Sequence, residues 1–216
     1  NIATNGINAR TNPHLTLNLI GNLGIGVTPS VWNDYGGSKA LQFYGSYVYN
    51  YRDTNLIIGN NAYYDGTWKY YKASIGATKF NSGNGAFDFA VSSGGNADAA
   101  ITWIDALKID TSGNVGIGTS STEGKLTISY TAAELPTSGT TSNSAIQVIS
   151  SLGNQLNLGL NTVSGDYGAY IQASDNNLAV PYPLNLQPNG GNVGIGTDSP
   201  VTKLHVQNPN KIDDVY

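Results

Sequence analysis

The sequence predicts an all-β protein built from short antiparallel strands in repeated modules, and three observations carry that expectation. Gly, Asn, Ser and Thr are abundant while charged residues make up only 11% of the 216, a balance that favours turns and short strands over helices. A glycine-rich segment recurs as Gly21-Asn-Leu-Gly24-Ile-Gly26-Val-Thr-Pro29, Gly113-Asn-Val-Gly116-Ile-Gly118-Thr119 and Gly191-Asn-Val-Gly194-Ile-Gly196-Thr-Asp-Ser-Pro200, and recurrence of this kind marks repeated structural units. Apolar residues alternate just before each copy, at Leu15 and Leu17, Leu107 and Ile109, and Leu184 and Leu186, which is the periodicity of a strand.

The elements follow in chain order. Residues 1–20 read as a strand segment continuing from an upstream part, 21–112 as an aromatic-rich β module, 113–190 as a second module, and 191–216 as the third motif with a C-terminal tail. The lack of any Met suggests an interior segment of something longer. In Leu107 to Gly118, the Ser112-Gly-Asn114 stretch tolerates positive φ and reverses the chain into a hairpin. Val115 and Ile117 then point to one face. Gly116 and Gly118 leave the other bare, open to another backbone, which in a threefold fibre could belong to a neighbouring chain. Lys125-Leu-Thr-Ile128 and Lys203-Leu-His-Val206 follow their motifs at the same offset, with Lys39-Ala-Leu-Gln-Phe43 as a displaced counterpart in the first copy. Each unit therefore reads strand, turn, glycine-rich strand, loop, strand. Further strands are expected at 41–51, 55–59, 67–73, 86–91 and 101–109, and at 145–150, 156–160 and 169–173. Turns at Leu152-Gly-Asn154 and Ser164-Gly-Asp166 separate the last three, and no segment must be helical. Hairpins this short bury too little to stand alone in water, which calls for neighbours supplied by trimerisation or stacking.

Charge and composition narrow the function. Ten Lys and Arg against 14 Asp and Glu give a net charge of -4, with no basic cluster to attract a phosphate backbone, so no nucleic-acid partner is expected. There is no Cys, hence neither disulfide nor thiolate metal site. The absence of a long apolar run argues against membrane insertion by a helix. The glycine motif has the reverse order of the nucleotide-binding Gly-x-Gly-x-x-Gly, and no helix follows it. His14 and His205 stand in unrelated contexts and read as surface residues. Carboxylates are scattered at Asp65, Asp88, Asp98, Asp105, Asp110, Glu123, Glu134, Asp166 and Asp175, where turn and strand-end roles account for them; Asp213-Asp214 reads as a solvated tail. No catalytic site, metal or cofactor is therefore expected.

Aromatic residues give the one candidate binding site. Thirteen of the 21 Phe, Trp and Tyr residues fall between Trp32 and Phe80. Alternation places Tyr47, Tyr49 and Tyr51 on one face of one strand. With Tyr63, Tyr64, Trp68 and Tyr70 they form a candidate set for a receptor or glycan, because these side chains offer flat apolar surface with a polar edge. The same rings equally suit a sheet core or a subunit interface. The glycines at positions 21, 24 and 26, 113, 116 and 118, and 191, 194 and 196 are expected to be structural.

The third copy, Gly191 to Thr197, then Pro200 and Lys203-Leu-His-Val206, resembles the repeat of phage tail fibres and tail-fibre-like adhesins. The stretch from Trp68 through Phe87-Asp-Phe-Ala-Val-Ser-Ser93 to Val115 resembles the strand-rich segments that precede that repeat, so the likeness covers about half of the chain. It implies a parallel homotrimer of β-sandwich or interwoven β-prism modules carried on a virion, outside the cell. Partners implied are further copies of the chain, other virion fibre or baseplate proteins, and a host-surface glycan or protein, bound for attachment without catalysis. Such fibres often end in a self-cleaving chaperone domain, and nothing after Val206 is long enough to be one. A head fibre or capsid decoration protein, a tailspike-like polysaccharide depolymerase and a bacterial surface adhesin are the alternatives. Val27 in place of Thr and the absence of Pro after Thr119 point to unequal modules and away from a regular solenoid.

Overall fold

Turn residues recur so often along this chain that only short strands fit between them. The computed structural model describes residues 15–52, 54–132, 144–163, 166–176 and 180–207, and it is almost wholly β, with one short 3-10 turn at Tyr35–Gly37. The chain divides into two compact units, Asn1–Tyr130 and Thr131–Tyr216.

In the first unit the strands are β1 (Leu15–Leu17), β2 (Leu23–Ile25), β3 (Lys39–Phe43), β4 (Ser46–Tyr51), β5 (Asn55–Asn60), β6 (Ala62–Tyr64), β7 (Trp68–Tyr70), β8 (Thr78–Gly83), β9 (Ala86–Val91), β10 (Ile104–Ile109), β11 (Val115–Ile117) and β12 (Leu126–Ile128). Ten of them make one sheet in the order β1-β2-β3-β4-β5-β8-β9-β10-β11-β12, while β6 and β7 form a separate hairpin. Pairing in the large sheet is antiparallel except where β2 meets β3 and β11 meets β12.

Three elements of this unit differ from expectation, among them β6, which lies outside the expected strands. The strand expected over 41–51 is two strands, because Tyr44 adopts a left-handed φ of 52° and, with Gly45, turns the chain back on itself. Strand β8 was not anticipated, since Lys79, Asn81 and Gly83 dilute its apolar alternation. It is secured by Asn84-Gly85, whose φ values of 52° and 78° suit a two-residue hairpin.

The first two motifs share one construction, and the third shares its parallel pairing. At the first copy the Asn18 N–H donates to the Asn22 carbonyl and the Gly21 N–H to the Asn18 carbonyl, each at 3.0 Å; Asp110, Gly113 and Asn114 repeat both bonds at the same lengths. After the glycine-rich strand the chain loops round to add a parallel strand, pairing Leu23 with Leu41, Val115 with Leu126 and Val193 with Leu204. That shared register makes Lys39–Phe43 the counterpart of the Lys-Leu strands. The second motif closes the ten-stranded sheet of the first unit through β11 and β12, so the unit ends after Tyr130 and not at the motif's start.

The second unit holds β13 (Ile146–Ile149), β14 (Asn154–Val163) and β15 (Asp166–Asp175) in an antiparallel sheet, and β16 (Val193–Ile195) paired with β17 (Leu204–Val206). The turn between β13 and β14 is a copy the sequence pattern concealed. Ser150, Gly153 and Asn154 make the same two backbone bonds, at 2.8 and 3.0 Å, but no Val-Gly-Ile follows. Conversely, Leu184 and Leu186 lie in no strand. Pro181, Pro183 and Pro188 around them lack the N–H that a strand partner would require.

The core of the first unit is aromatic. Trp32, Tyr47, Tyr49, Tyr63 and Tyr70 pack with Ala40, Ile57, Ala62 and Ala77, so that the β6–β7 hairpin and the Trp32 segment cover the tyrosine-bearing face of the sheet. No helix among the described residues is long and apolar enough to cross a membrane.

Candidate functional site

Strand alternation does put Tyr47, Tyr49 and Tyr51 on one face of β4, but Trp32 settles against that face, its ring centre 5.1 Å from Tyr47 and 4.8 Å from Tyr49. Tyr47, Tyr49, Tyr63 and Tyr70 are all buried. Three of their hydroxyls are used internally: Tyr49 donates to the Asn33 carbonyl at 2.9 Å, Tyr63 to Asp98 at 2.7 Å, and Tyr70 to the Ser93 carbonyl. The Tyr47 hydroxyl is buried with no partner among the described residues. Burial pushes the Tyr47 phenol well above its ordinary range, and Tyr49 and Tyr63 up to about 12. Four of the seven candidate rings are thus core residues. Tyr47 and Tyr49 pack against Trp32 and Trp68, and Tyr63 and Tyr70 are buried in the same cluster.

The other three behave differently. Tyr51, Tyr64 and Trp68 are half-buried and, with Ile57, surround a cavity of about 280 Å³. Tyr51 meets Tyr64 edge to face at 5.6 Å, and Tyr64 lies 5.3 Å from Trp68. Burial, followed by the neighbouring Tyr51, raises the Tyr64 phenol against the opposing pull of Arg52. Two cations flank the cluster. Arg52 sets its guanidinium carbon 4.7 Å from the Tyr35 ring and 5.1 Å from the Tyr51 ring. Lys79 places its ammonium 4.6 Å from Trp103 and 5.5 Å from Trp68; burial lowers its pKa, with Asp105 and Asp88 opposing. Trp32, Trp103, Arg52 and Lys79 were not singled out from the sequence, since none belongs to the tyrosine alternation. The density of aromatics around Trp32 was the only available signal.

Several of the carboxylates are occupied with local structure. Burial works to raise Asp65, but Lys69 at 2.6 Å outweighs it and leaves it below its ordinary value. Asp88 accepts from Asn81 at 3.0 Å, and Asp175 accepts the Val180 N–H at 3.0 Å. Asp110 caps its turn, accepting the Ser112 and Asn114 N–H groups at 2.8 and 2.9 Å and the Thr122 hydroxyl at 2.5 Å. His205 is half-buried, its Nδ1 accepting the Val201 N–H at 3.3 Å. His14, Glu134, Asp213 and Asp214 lie outside the described residues.

The repeat glycines each have a mechanical role. Gly21 and Gly113 turn the hairpins at φ of 86° and 71°, Gly191 takes the same left-handed conformation at 82° before β16, and Gly26, Gly118 and Gly196 end the strands at 69°, 70° and 75°. At the middle position the close approach is made by the chain itself and not by a neighbour. A Cβ on Gly116 or Gly194 would stand 2.5 Å from the carbonyl oxygen of Thr119 or Thr197, and one on Gly24 would strike that of Val27.

The opposite face of the ten-stranded sheet is unlike the tyrosine face. One row of cross-strand neighbours runs Leu17, Leu23, Leu41, Val48, Ile58, Phe80, Phe89, Leu107, Ile117, Ile128 through every strand of the sheet, and no polar side chain interrupts it. Much of it is open: Leu17 is 62% exposed, Phe89 46% and Ile58 45%. Phe43, Val48, Ile58, Phe80, Phe89 and Val91 line a groove of about 540 Å³ there. The second unit shows the same inversion. Val148 is 60% exposed and Ile171 57%, while Gln155, Asn157, Asn161 and Ser174 are buried on the other face. Gln147 donates to both Gln155 and Asn157 at 3.0 Å.

No protein-family model matches the chain, and neither a curated protein nor a solved structure matches it.

Proposed function

We propose that the chain is a segment of a virion fibre, assembled as a parallel homotrimer, that attaches the particle to a glycan or protein on a host surface without catalysis. The observation that carries this reading is the uninterrupted apolar row across ten strands, open to solvent in the single chain. A soluble monomer rarely exposes a contiguous apolar face of this extent, and burying Asn and Gln while exposing Val, Leu and Ile runs against the hydrophobic effect unless something else covers the apolar side. Further copies of the same chain are the occupant favoured here. The same inversion recurs in both units, as it would if copies ran alongside one another over their whole length, and the Gly-Asn-Val-Gly-Ile-Gly repeats resemble those of trimeric tail fibres. Other fibre or baseplate proteins would then meet the trimer end to end.

Light scattering on dilute protein tests the assembly. The expected mass is about three times 22.6 kDa, and Ile58→Asp combined with Phe89→Asp is expected to give a β-rich monomer, because charges desolvated in an apolar interface cost several kcal/mol. A wild-type monomer at micromolar concentration overturns the proposal.

A further inference from the structure

Of the seven aromatic residues that make a candidate binding set, the structure leaves Tyr51, Tyr64 and Trp68 facing open space. The cavity they enclose with Ile57 measures about 280 Å³. At about 30 Å³ of liquid volume per water that is room for about nine waters, a space suited to one pyranose ring and too small for two. Its walls are largely aromatic. Tyr51 and Tyr64 meet edge to face, with their ring planes 85° apart, so a ring entering between them meets both a flat apolar surface for its C–H faces and phenol groups for its hydroxyls.

Arg52 gives the site a charge preference. It follows Tyr51 directly, is exposed, and is held against the Tyr35 and Tyr51 rings by cation–π contact. Such contact orients a guanidinium without using its N–H donors. Among the described residues no carboxylate lies within 4.0 Å of it, the one ion pair found being Lys69 with Asp65. An oriented guanidinium is matched in geometry by a carboxylate, which it binds through two parallel hydrogen bonds.

We propose that the Tyr51–Tyr64–Trp68 cavity takes one carboxylated sugar of an acidic polysaccharide, its ring between the aromatic walls and its carboxylate on Arg52. This rests on the attachment reading for where such a polysaccharide would be met, and on the cavity alone for the chemistry.

The test titrates methyl glucuronide and methyl glucoside into the full chain, followed by tryptophan fluorescence, to which Trp68 in the cavity wall reports. Saturable binding of the glucuronide in the millimolar range is expected, with the glucoside at least about tenfold weaker, the worth of one charge-assisted hydrogen-bonded pair. Arg52→Gln should reduce the glucuronide to the level of the glucoside, Arg52→Lys should retain part of the difference, and Tyr51→Ser should weaken both sugars. Equal affinities, tighter binding of glucose 6-phosphate than of the glucuronide, or no saturable change with any of them overturns the proposal. Light scattering on the same samples separates the two readings. A trimer that ignores all three sugars overturns the cavity assignment alone, and a monomer that binds glucuronide overturns the assembly alone.

Discussion

Tyr47 and Tyr49 stand two residues apart on the same face of β4, both packed on Trp32, yet removal of their hydroxyls should move stability in opposite directions. The Tyr49 hydroxyl donates to the Asn33 carbonyl at 2.9 Å, so Tyr49→Phe deletes a bond of about 1 kcal/mol and leaves a carbonyl underserved. The Tyr47 hydroxyl is buried against Gly59 with no partner among the described residues. A buried donor in that state costs about 1–3 kcal/mol. Tyr47→Phe keeps the ring and its contacts, and with a small loss for the space vacated it should stabilise the fold by about 1 kcal/mol. Urea unfolding read by tryptophan fluorescence is the assay, at one fixed protein concentration because the proposed assembly would make stability concentration-dependent. With a slope of about 2 kcal/mol per molar, each change corresponds to about 0.5 M in the midpoint, upward for Tyr47→Phe and downward for Tyr49→Phe. If both variants lost stability equally, the Tyr47 hydroxyl would have a partner, and the reasoning that consigns Tyr47 to the core on packing alone would fail.

Two further predictions test the repeat. Gly116→Ala and Gly194→Ala each push a methyl to 2.5 Å from the carbonyl of the loop beneath, and each should cost about 1–3 kcal/mol in thermal or urea unfolding, as overpacking does. Asp110 is held down to about 2 by the Thr122 hydroxyl first and then by the Asn114 and Ser112 N–H groups. A depressed carboxylate stabilises the fold fully above its unfolded pKa of about 4 and loses that contribution as pH falls towards about 2. Melting temperature measured across that window should therefore fall more steeply for the wild type than for Asp110→Asn. The variant should still fold at neutral pH, since Asn18 accepts the Asn22 N–H at 2.8 Å in the equivalent turn.

Strand character and repeat were legible because they depend on local rules: Gly-Asn turns that tolerate positive φ, alternation at Leu107 and Ile109, and a Lys-Leu strand at a fixed offset. What escaped were features decided by partners distant in sequence. Tyr44-Gly45 breaks a run that alternates well on both sides, and β8 gains its place from Ile58 and Phe89 across the sheet rather than from its own composition. Ser150 to Asn154 reproduces the motif turn without its glycine-rich strand, and only the two backbone bonds reveal the kinship. The binding set was too wide for a related reason. Alternation says that Tyr47, Tyr49 and Tyr51 share a face, but whether that face meets solvent depends on where Trp32 and the β6–β7 hairpin go.

The larger inversion has the same origin. Periodicity of two distinguishes an apolar face from a polar one, and the usual inference sends the apolar face inward. In this chain the covering hairpin settles on the tyrosine side, where hydroxyls and ring edges find partners such as Asn33, Asp98 and Ser93, while no member of the Leu17-to-Ile128 row is buried within the unit. A sequence that must fill a core within one chain has no reason to keep ten consecutive cross-strand positions apolar on the outer face. The proposed assembly between copies would supply one. The glycine positions agree with this division of labour. Gly24, Gly116 and Gly194 let the chain fold its own loop tightly beneath the motif strand, which leaves the other side of that strand, where Ile25, Ile117 and Ile195 stand exposed, clear of that loop.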